Sequence, residues 1–168
     1  DSQRVGELKE CGVRKGDRVV CYLEGSVPLA LFLLTCGAAQ VLPVPLSPVF
    51  SQQYLRDLAR QAGARYVFTT RRDLRRARAL GRVILCSSLG AGSIPADDEH
   101  GRIHPFFTSS DHLSTDEALA ALDAQRAGVK PSCDFLVQPT SGSTGRPKLV
   151  RRHHDAFARY AEFVGDQV

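Results

Sequence analysis

Residues 140–148 concentrate the groups that bind phosphate in proteins. In order they are Thr140, Ser141, Gly142, Ser143, Thr144, Gly145, Arg146, Pro147 and Lys148. Glycine permits positive φ and a close backbone approach, so that consecutive N–H groups can converge on an anion. The short hydroxyls add hydrogen-bond donors, and the lysine adds a compact positive charge that suits a polyphosphate. The segment therefore predicts a phosphate-binding loop.

The loop differs from a Walker A motif, which needs four residues between its glycines and a Gly-Lys-Ser/Thr ending. Here only two residues separate Gly142 from Gly145. An apolar run, residues 135–137, precedes the loop and the apolar residues 149–150 follow it, which favours a strand on each side. We therefore expect a hydroxyl-rich loop between two strands, without a helix dipole behind it. The alternative for a cluster of serine and glycine is a simple surface turn.

The segment Thr140 to Lys148 resembles the phosphate-binding signature of the adenylate-forming superfamily, and every position of that signature is matched. The superfamily includes acyl-CoA synthetases, aryl-CoA ligases, luciferases and the adenylation domains of non-ribosomal peptide synthetases. His154 lies where the family often carries a histidine, whereas Leu149 replaces a usual glycine. Residues 16–19, 33–39 and 43–48 also resemble the family's amino-terminal region, which extends the resemblance over about residues 5–165.

The resemblance implies a reaction in which a carboxylate attacks the α-phosphate of ATP, pyrophosphate leaves and an acyl-adenylate forms. A thiol, from CoA or from the phosphopantetheine of a carrier protein, commonly accepts the acyl group next. The residues that would bind ATP are Thr140, Ser141, Gly142, Ser143, Thr144, Gly145 and Lys148. The ligands of Mg²⁺ and the catalytic residues are expected outside this chain. The partners would be ATP, the carboxylic acid, the thiol and the remainder of the enzyme.

The resemblance also implies that the 168 residues are the first part of the large amino-terminal domain of an AMP-forming ligase. The motifs that hold adenine and ribose, the acidic ligand of magnesium, the acyl pocket and the carboxy-terminal catalytic lysine are absent from it. We therefore expect little or no turnover from residues 1–168 alone. Residues 138–154 would form the phosphate-loop segment. A truncated, non-catalytic structural or binding module of the same fold is the alternative. A chance match in an unrelated phosphate-binding domain is a third.

Composition and charge limit the classes of protein to which the chain can belong. Hydrophobic residues make up 43% and charged residues 24%, which is typical of a soluble globular protein. The net charge is +4, and much of it lies in the arginine-rich residues 71–78, which predict a solvated helix face rather than a nucleic-acid site because no aromatic residues interleave. The apolar stretch 27–39 is too short to span a bilayer, and no signal peptide is present.

The five cysteines have no metal-binding spacing, which indicates reduced, buried thiols in a cytoplasmic protein. His100 and His104 lie near acidic residues in an order that fits no recognised ligand pattern, so we interpret them as solvated loop residues. His153 and His154 are adjacent, and no serine elbow exists that could complete a triad. Helix-start and packing roles are therefore favoured over catalysis for this pair.

Strands and helices alternate along most of the chain. The pattern predicts helices over residues 1–10, 27–39, 51–61, 71–80, 114–127 and 156–164, and strands over residues 18–23, 40–45, 65–70, 83–86 and 133–138. Residues 87–115 are rich in glycine, serine, proline and aspartate, and predict a long surface loop. The alternation of strands and helices indicates an α/β protein, in which a largely parallel sheet lies between two layers of helices.

Overall fold

The computed structural model describes residues 2–86, 103–106, 129–130, 132–140, 147–156 and 158–159. The helices are α1 (Ser2–Glu10), α2 (Val27–Ala39), α3 (Gln52–Ala62) and α4 (Leu74–Ala77), and a 3₁₀ turn (Arg71–Asp73) precedes α4. The strands are β1 (Arg18–Tyr22), β2 (Leu42–Pro45), β3 (Tyr66–Thr70), β4 (Arg82–Cys86), β5 (Ile103–Phe106), β6 (Asp134–Thr140) and β7 (Lys148–His153).

Five of these strands form a parallel sheet in the order β2-β1-β3-β4-β5. Val20 in β1 lies opposite Val44 of β2 on one side and opposite Val67 of β3 on the other. All three are fully buried, because a parallel sheet is covered on both faces and its strands are apolar throughout. The prediction of an α/β fold with a largely parallel sheet is confirmed.

The sheet separates two hydrophobic clusters. On one face, α3 and α4 pack against alternate strand residues such as Tyr22 and Val67. On the other face, α1 and α2 pack against the intervening residues, and Phe32 of α2 stacks on Phe68 of β3 with ring centroids 3.8 Å apart and planes 3° from parallel. The helices thus cover both faces, which gives the three layers that the sequence predicts.

The predicted helix boundaries follow from capping residues. Ser51 precedes α3, and its Oγ accepts a hydrogen bond from the backbone N–H of Tyr54 at 3.3 Å. Gly63 ends the same helix at φ 65°, a conformation that favours glycine. Ser26 accepts in the same way from the N–H of Leu29, and α2 then covers the predicted residues 27–39.

Two predicted segments differ in the structure. Residues 71–80 form a 3₁₀ turn and the short α4 rather than one longer helix, because the inward Leu74, Ala77 and Leu80 recur every three residues and a tight winding keeps all three on the sheet. The strand β5 lies within residues 87–115, for which the sequence predicts a loop. Pro105 weakens the strand pattern, yet proline is tolerated here because β5 is an edge strand. The rest of that segment, the predicted helix over residues 114–127 and most of the predicted helix over residues 156–164 lie outside the described residues.

Three cysteines, Cys11, Cys21 and Cys36, are buried and form no disulfide. Burial raises the pKa of the Cys11 thiol to about 11 and raises the pKa of Cys21 and Cys36 as well, so all three remain neutral. Among the described residues, no three His, Cys, Asp or Glu side chains come together in a group that could hold a metal ion. None of the described helices has the length and apolar character needed to cross a membrane.

Candidate functional site

The strands β6 and β7 form an antiparallel hairpin, and the predicted phosphate loop is its connection. Thr140 and Lys148 lie directly opposite each other where the loop leaves and rejoins the strands. The hydroxyl of Thr140 donates to the backbone carbonyl of Lys148 at 3.2 Å and closes the base of the loop. The other predicted site residues lie outside the described residues: Ser141, Gly142, Ser143, Thr144 and Gly145. The described part of the site is thus its base, with one hydroxyl and one exposed lysine.

The hairpin confirms the predicted strands on each side of the loop. The strand β7 begins at Lys148, so no helix starts directly after the loop. Backbone and side-chain donors rather than a helix dipole would therefore have to stabilise an anion at this end of the hairpin. Lys148 is exposed and forms no ion pair with another described residue.

Apolar packing anchors the hairpin to the domain. Val137 of β6 is buried in the cluster that α3 and α4 cover, and Leu149 of β7 packs against the same cluster. Asp134 also contacts Arg151 at 3.3 Å and His153 at 3.2 Å, but exposed ion pairs contribute at most about 1 kcal/mol. Leu149 thus contributes an apolar contact that holds the base of the loop in place.

His154 packs where the hairpin meets α2. Its ring lies edge-on to that of Phe135 with centroids 4.8 Å apart, and its backbone N–H donates to the carbonyl of Cys133 at 3.1 Å. Both rings lie beside Gly37 of α2, where a Cβ would be in ordinary van der Waals contact with them at 3.5 Å. Burial lowers the pKa of His154 and favours its neutral form. The contacts agree with the packing role that the sequence favours.

We expect the pH dependence of stability to reflect His154. Its pKa in the folded state lies below the usual value of 6.5, so the unfolded chain binds more protons between these two values. The free energy of unfolding should therefore decrease as the pH falls from about 6.5 and stop decreasing below the folded-state pKa. Urea unfolding at about pH 7.5 and about pH 5 measures this decrease, which should be smaller in a His154→Gln variant. An equal decrease in both proteins would assign it to other groups.

A cavity of about 830 Å³ lies beside the hairpin, outside the carboxyl ends of β1 and β2. It is lined by Cys21, Leu23, Glu24, Gly25, Pro45, Leu46, Ser47, Phe50, Leu136, Gln138, Pro139, Arg152 and Ala156. In open α/β sheets, the crevice outside the carboxyl ends of the strands is the usual place for a ligand. The cavity therefore extends the candidate site from the hairpin to the edge of the parallel sheet.

The two faces of the hairpin border different spaces. Leu136, Gln138 and Arg152 line the larger cavity, whereas Leu149 lines a smaller one of about 480 Å³ beside the end of α3. Such a division is expected because successive side chains of a strand point to opposite faces. Alternation along β7 places Lys148 on the same face as Arg152, next to the larger cavity, although the residue also borders the smaller one.

Sequence reasoning did not identify several residues of the larger cavity. Glu24 and Ser47 are each the second residue after the ends of β1 and β2, and this position is the one local signal that could have indicated them. Glu24 forms an ion pair with Arg72 at 2.7 Å. Arg152, on β7, had no such signal, because its exposure to the cavity depends on the register of the hairpin.

Comparisons with known proteins agree with this architecture. The family described as AMP-binding enzyme matches residues 6–167. No curated protein matches the chain. Among solved structures, the chain is similar to the acyl-CoA synthetase of Brucella canis, with 23% identity, a TM-score of 0.62, and coverage of 95% of this chain and 27% of that one.

Two further structures have the same fold at lower identity. The luciferase-like enzyme from the mealworm Zophobas morio is 16% identical, with a TM-score of 0.67 and coverage of 96% of this chain and 36% of that one. The benzoate CoA ligase from Burkholderia xenovorans LB400 is also 16% identical, with a TM-score of 0.63 and coverage of 94% and 28%. This chain spans between 27% and 36% of the length of these three structures.

Proposed function

Because the chain belongs to the AMP-binding enzyme family, whose members form adenylates, we propose that it is part of an enzyme that activates a carboxylic acid with ATP. The products are an acyl-adenylate and pyrophosphate, and the acyl group then passes to the thiol of CoA or of a carrier protein. The observation that carries the proposal is the pairing of Thr140 with Lys148 at the base of a loop rich in glycine and hydroxyl groups. The similarity of the chain to a CoA synthetase and a CoA ligase supports thioester formation as the second step.

The phosphate loop has a defined task in this reaction. An oxygen of the carboxylate attacks the α-phosphorus of ATP, the bond to the bridging oxygen breaks, and pyrophosphate leaves with the electron pair. Groups that hold the β- and γ-phosphates in line with the attack lower the entropic cost of reaching that geometry. Positive charge and N–H donors near the leaving group stabilise the negative charge that grows on it. Lys148 would supply the charge, since its side chain is exposed at the base of the loop.

We assign the ATP contacts to the seven residues that the sequence indicates, Thr140, Ser141, Gly142, Ser143, Thr144, Gly145 and Lys148. Mg²⁺ that accompanies ATP offsets phosphate charge. We propose that the protein ligands of this ion lie in the remainder of the enzyme.

We further propose that residues 1–168 are the first part of the amino-terminal domain of such a ligase, and that the acid pocket and catalytic residues lie in the remainder. The chain's coverage of 27% to 36% of the three similar structures supports this division. The unpaired, buried thiols of Cys11, Cys21 and Cys36 support a reducing, cytoplasmic setting.

ATP–pyrophosphate exchange tests the proposed function. The assay would use this chain and the longest product of its gene, each with a panel of carboxylic and amino acids. We expect exchange from the longer product alone, and the acid that supports it would identify the substrate. Exchange by neither protein, with both folded, would contradict adenylation and favour a non-catalytic structural or binding module of the same fold.

A further inference from the structure

The guanidinium group of Arg76, on α4, binds the loop that follows β2. Its Nη1 donates to the carbonyl of Pro48 and its Nη2 to the carbonyl of Phe50, each at 3.0 Å. Its Nε donates to Oε1 of Gln52 at 3.4 Å, and Nε2 of Gln52 donates in return to the carbonyl of Arg76 at 2.9 Å. The guanidinium carbon also lies 5.9 Å from the ring centroid of the buried Tyr22. One side chain therefore connects the loop to the body of the domain.

This loop, residues 47–52, also makes other contacts among the described residues. Within it, the N–H of Phe50 donates to the carbonyl of Ser47 at 3.3 Å, and the N–H of Val49 donates to the hydroxyl of Ser47 at 3.4 Å. Val49 is 83% exposed and Phe50 is 39% exposed, so apolar burial stabilises these two residues weakly. The end of the loop is also held by the Ser51 cap of α3 and by the contact between the rings of Phe50 and Tyr54. The bonds from Arg76 connect the loop to α4.

The same loop is one wall of the larger cavity, because Ser47 and Phe50 both line it. Arg76 is not among the cavity's lining residues, so it can affect a ligand there through the loop rather than by contact. The wall is largely apolar, with Leu23, Leu46 and Leu136 in addition to Phe50. The register of the hairpin places Lys148 on the same face as Leu136, so the cavity adjoins the base of the loop.

We propose that Arg76 is a positioning residue: it fixes the loop of residues 47–52 as a wall of the larger cavity and thereby strengthens the binding of a substrate other than ATP. The occupant is the apolar portion of either the carboxylic acid or the acceptor thiol. This inference rests on the proposed function. It does not require Arg76 to touch any reacting atom.

Arginine suits this role for a geometric reason. Its planar guanidinium presents several N–H donors in a fixed fork and can bind two carbonyl groups at once. Lysine keeps the charge but presents it on a compact ammonium group, which cannot reproduce that fork. The variant Arg76→Lys therefore removes the paired hydrogen bonds of the guanidinium group but keeps the positive charge. The variant Arg76→Ala removes both.

The kinetic test compares Arg76→Lys and Arg76→Ala with the wild type in the longest product of the gene. Arg56→Ala is a matched control, since Arg56 is an exposed arginine on α3 that does not line the larger cavity. With either Arg76 variant we expect the KM of one substrate to rise about tenfold. That substrate is either the acid, measured by pyrophosphate exchange, or the thiol, measured by thioester formation. The values of kcat and of KM for ATP should stay within about twofold. The substrate whose KM rises identifies the occupant.

Hydrogen–deuterium exchange tests the loop independently of activity. The amides of Val49 and Phe50 should exchange faster in both Arg76 variants than in the wild type or in Arg56→Ala. Unchanged exchange would overturn the role of Arg76, and faster exchange with every KM unchanged would overturn the link to substrate binding. A loss of kcat with a lowered melting temperature would show a general structural role instead. If the wild-type protein catalyses no adenylation, the proposed function and the effect on substrate binding are both contradicted. Hydrogen–deuterium exchange would still decide whether Arg76 holds the loop.

Discussion

Replacing Lys148 with alanine is expected to slow ATP–pyrophosphate exchange by about a hundredfold, the typical effect of removing one preorganised donor to a developing negative charge. Lys148 is exposed, lies opposite Thr140 at the base of the loop and forms no ion pair with another described residue. In the proposed reaction, its ammonium group would contact the phosphates that leave during adenylation. The measurement is the exchange rate at saturating acid and ATP in the longest product of the gene.

Two further variants sharpen this result. Lys15→Ala removes an exposed lysine from the turn before β1 and should leave exchange unchanged. Lys148→Arg keeps a positive charge but changes its shape, so we expect an intermediate rate. The melting temperature of Lys148→Ala should match that of the wild type, because the side chain is exposed. Wild-type exchange in Lys148→Ala would remove Lys148 from the ATP site.

Replacing Phe68 with alanine is expected to lower the free energy of unfolding by about 3–5 kcal/mol, the range for a buried phenylalanine. Phe68 is fully buried in β3, and its ring stacks on that of Phe32 at a centroid distance of 3.8 Å. The substitution removes apolar surface and leaves a void between the sheet and α2, which the surrounding close-packed side chains can fill only in part. Urea denaturation of wild type and variant at one pH measures the difference.

The control for this prediction is a phenylalanine that is only partly buried. Phe50→Ala should cost clearly less, since 39% of Phe50 is exposed and its ring contacts Tyr54 at a centroid distance of 4.9 Å. Phe68→Leu should cost less than Phe68→Ala, because leucine fills most of the void. Equal costs for Phe68→Ala and Phe50→Ala would contradict the packing that we describe around Phe68.

Several elements could be predicted from the sequence because their signals are local. The helix α3 begins after Ser51 and ends at Gly63, and both caps act within three residues of the chain. The strand β1 was recognisable as a short, nearly continuous apolar run, which is the pattern of a strand buried on both faces. The strand β5 was missed because proline at position 105 breaks that pattern, and its place at the edge of the sheet, which permits the proline, is a tertiary property.

By itself, the sequence of this protein determined the alternation of strands and helices, most of their ends and the chemistry of the loop over residues 140–148. These features depend on neighbouring residues, whose propensities, caps and spacing act over a few positions. The tertiary structure alone decided the strand order, the cavity and the partners of Arg76. The reason is physical: Ser47, Arg76 and Arg152 are distant along the chain, and only the packing of helices on the sheet and the register of the hairpin determine which of them line one space or contact one another.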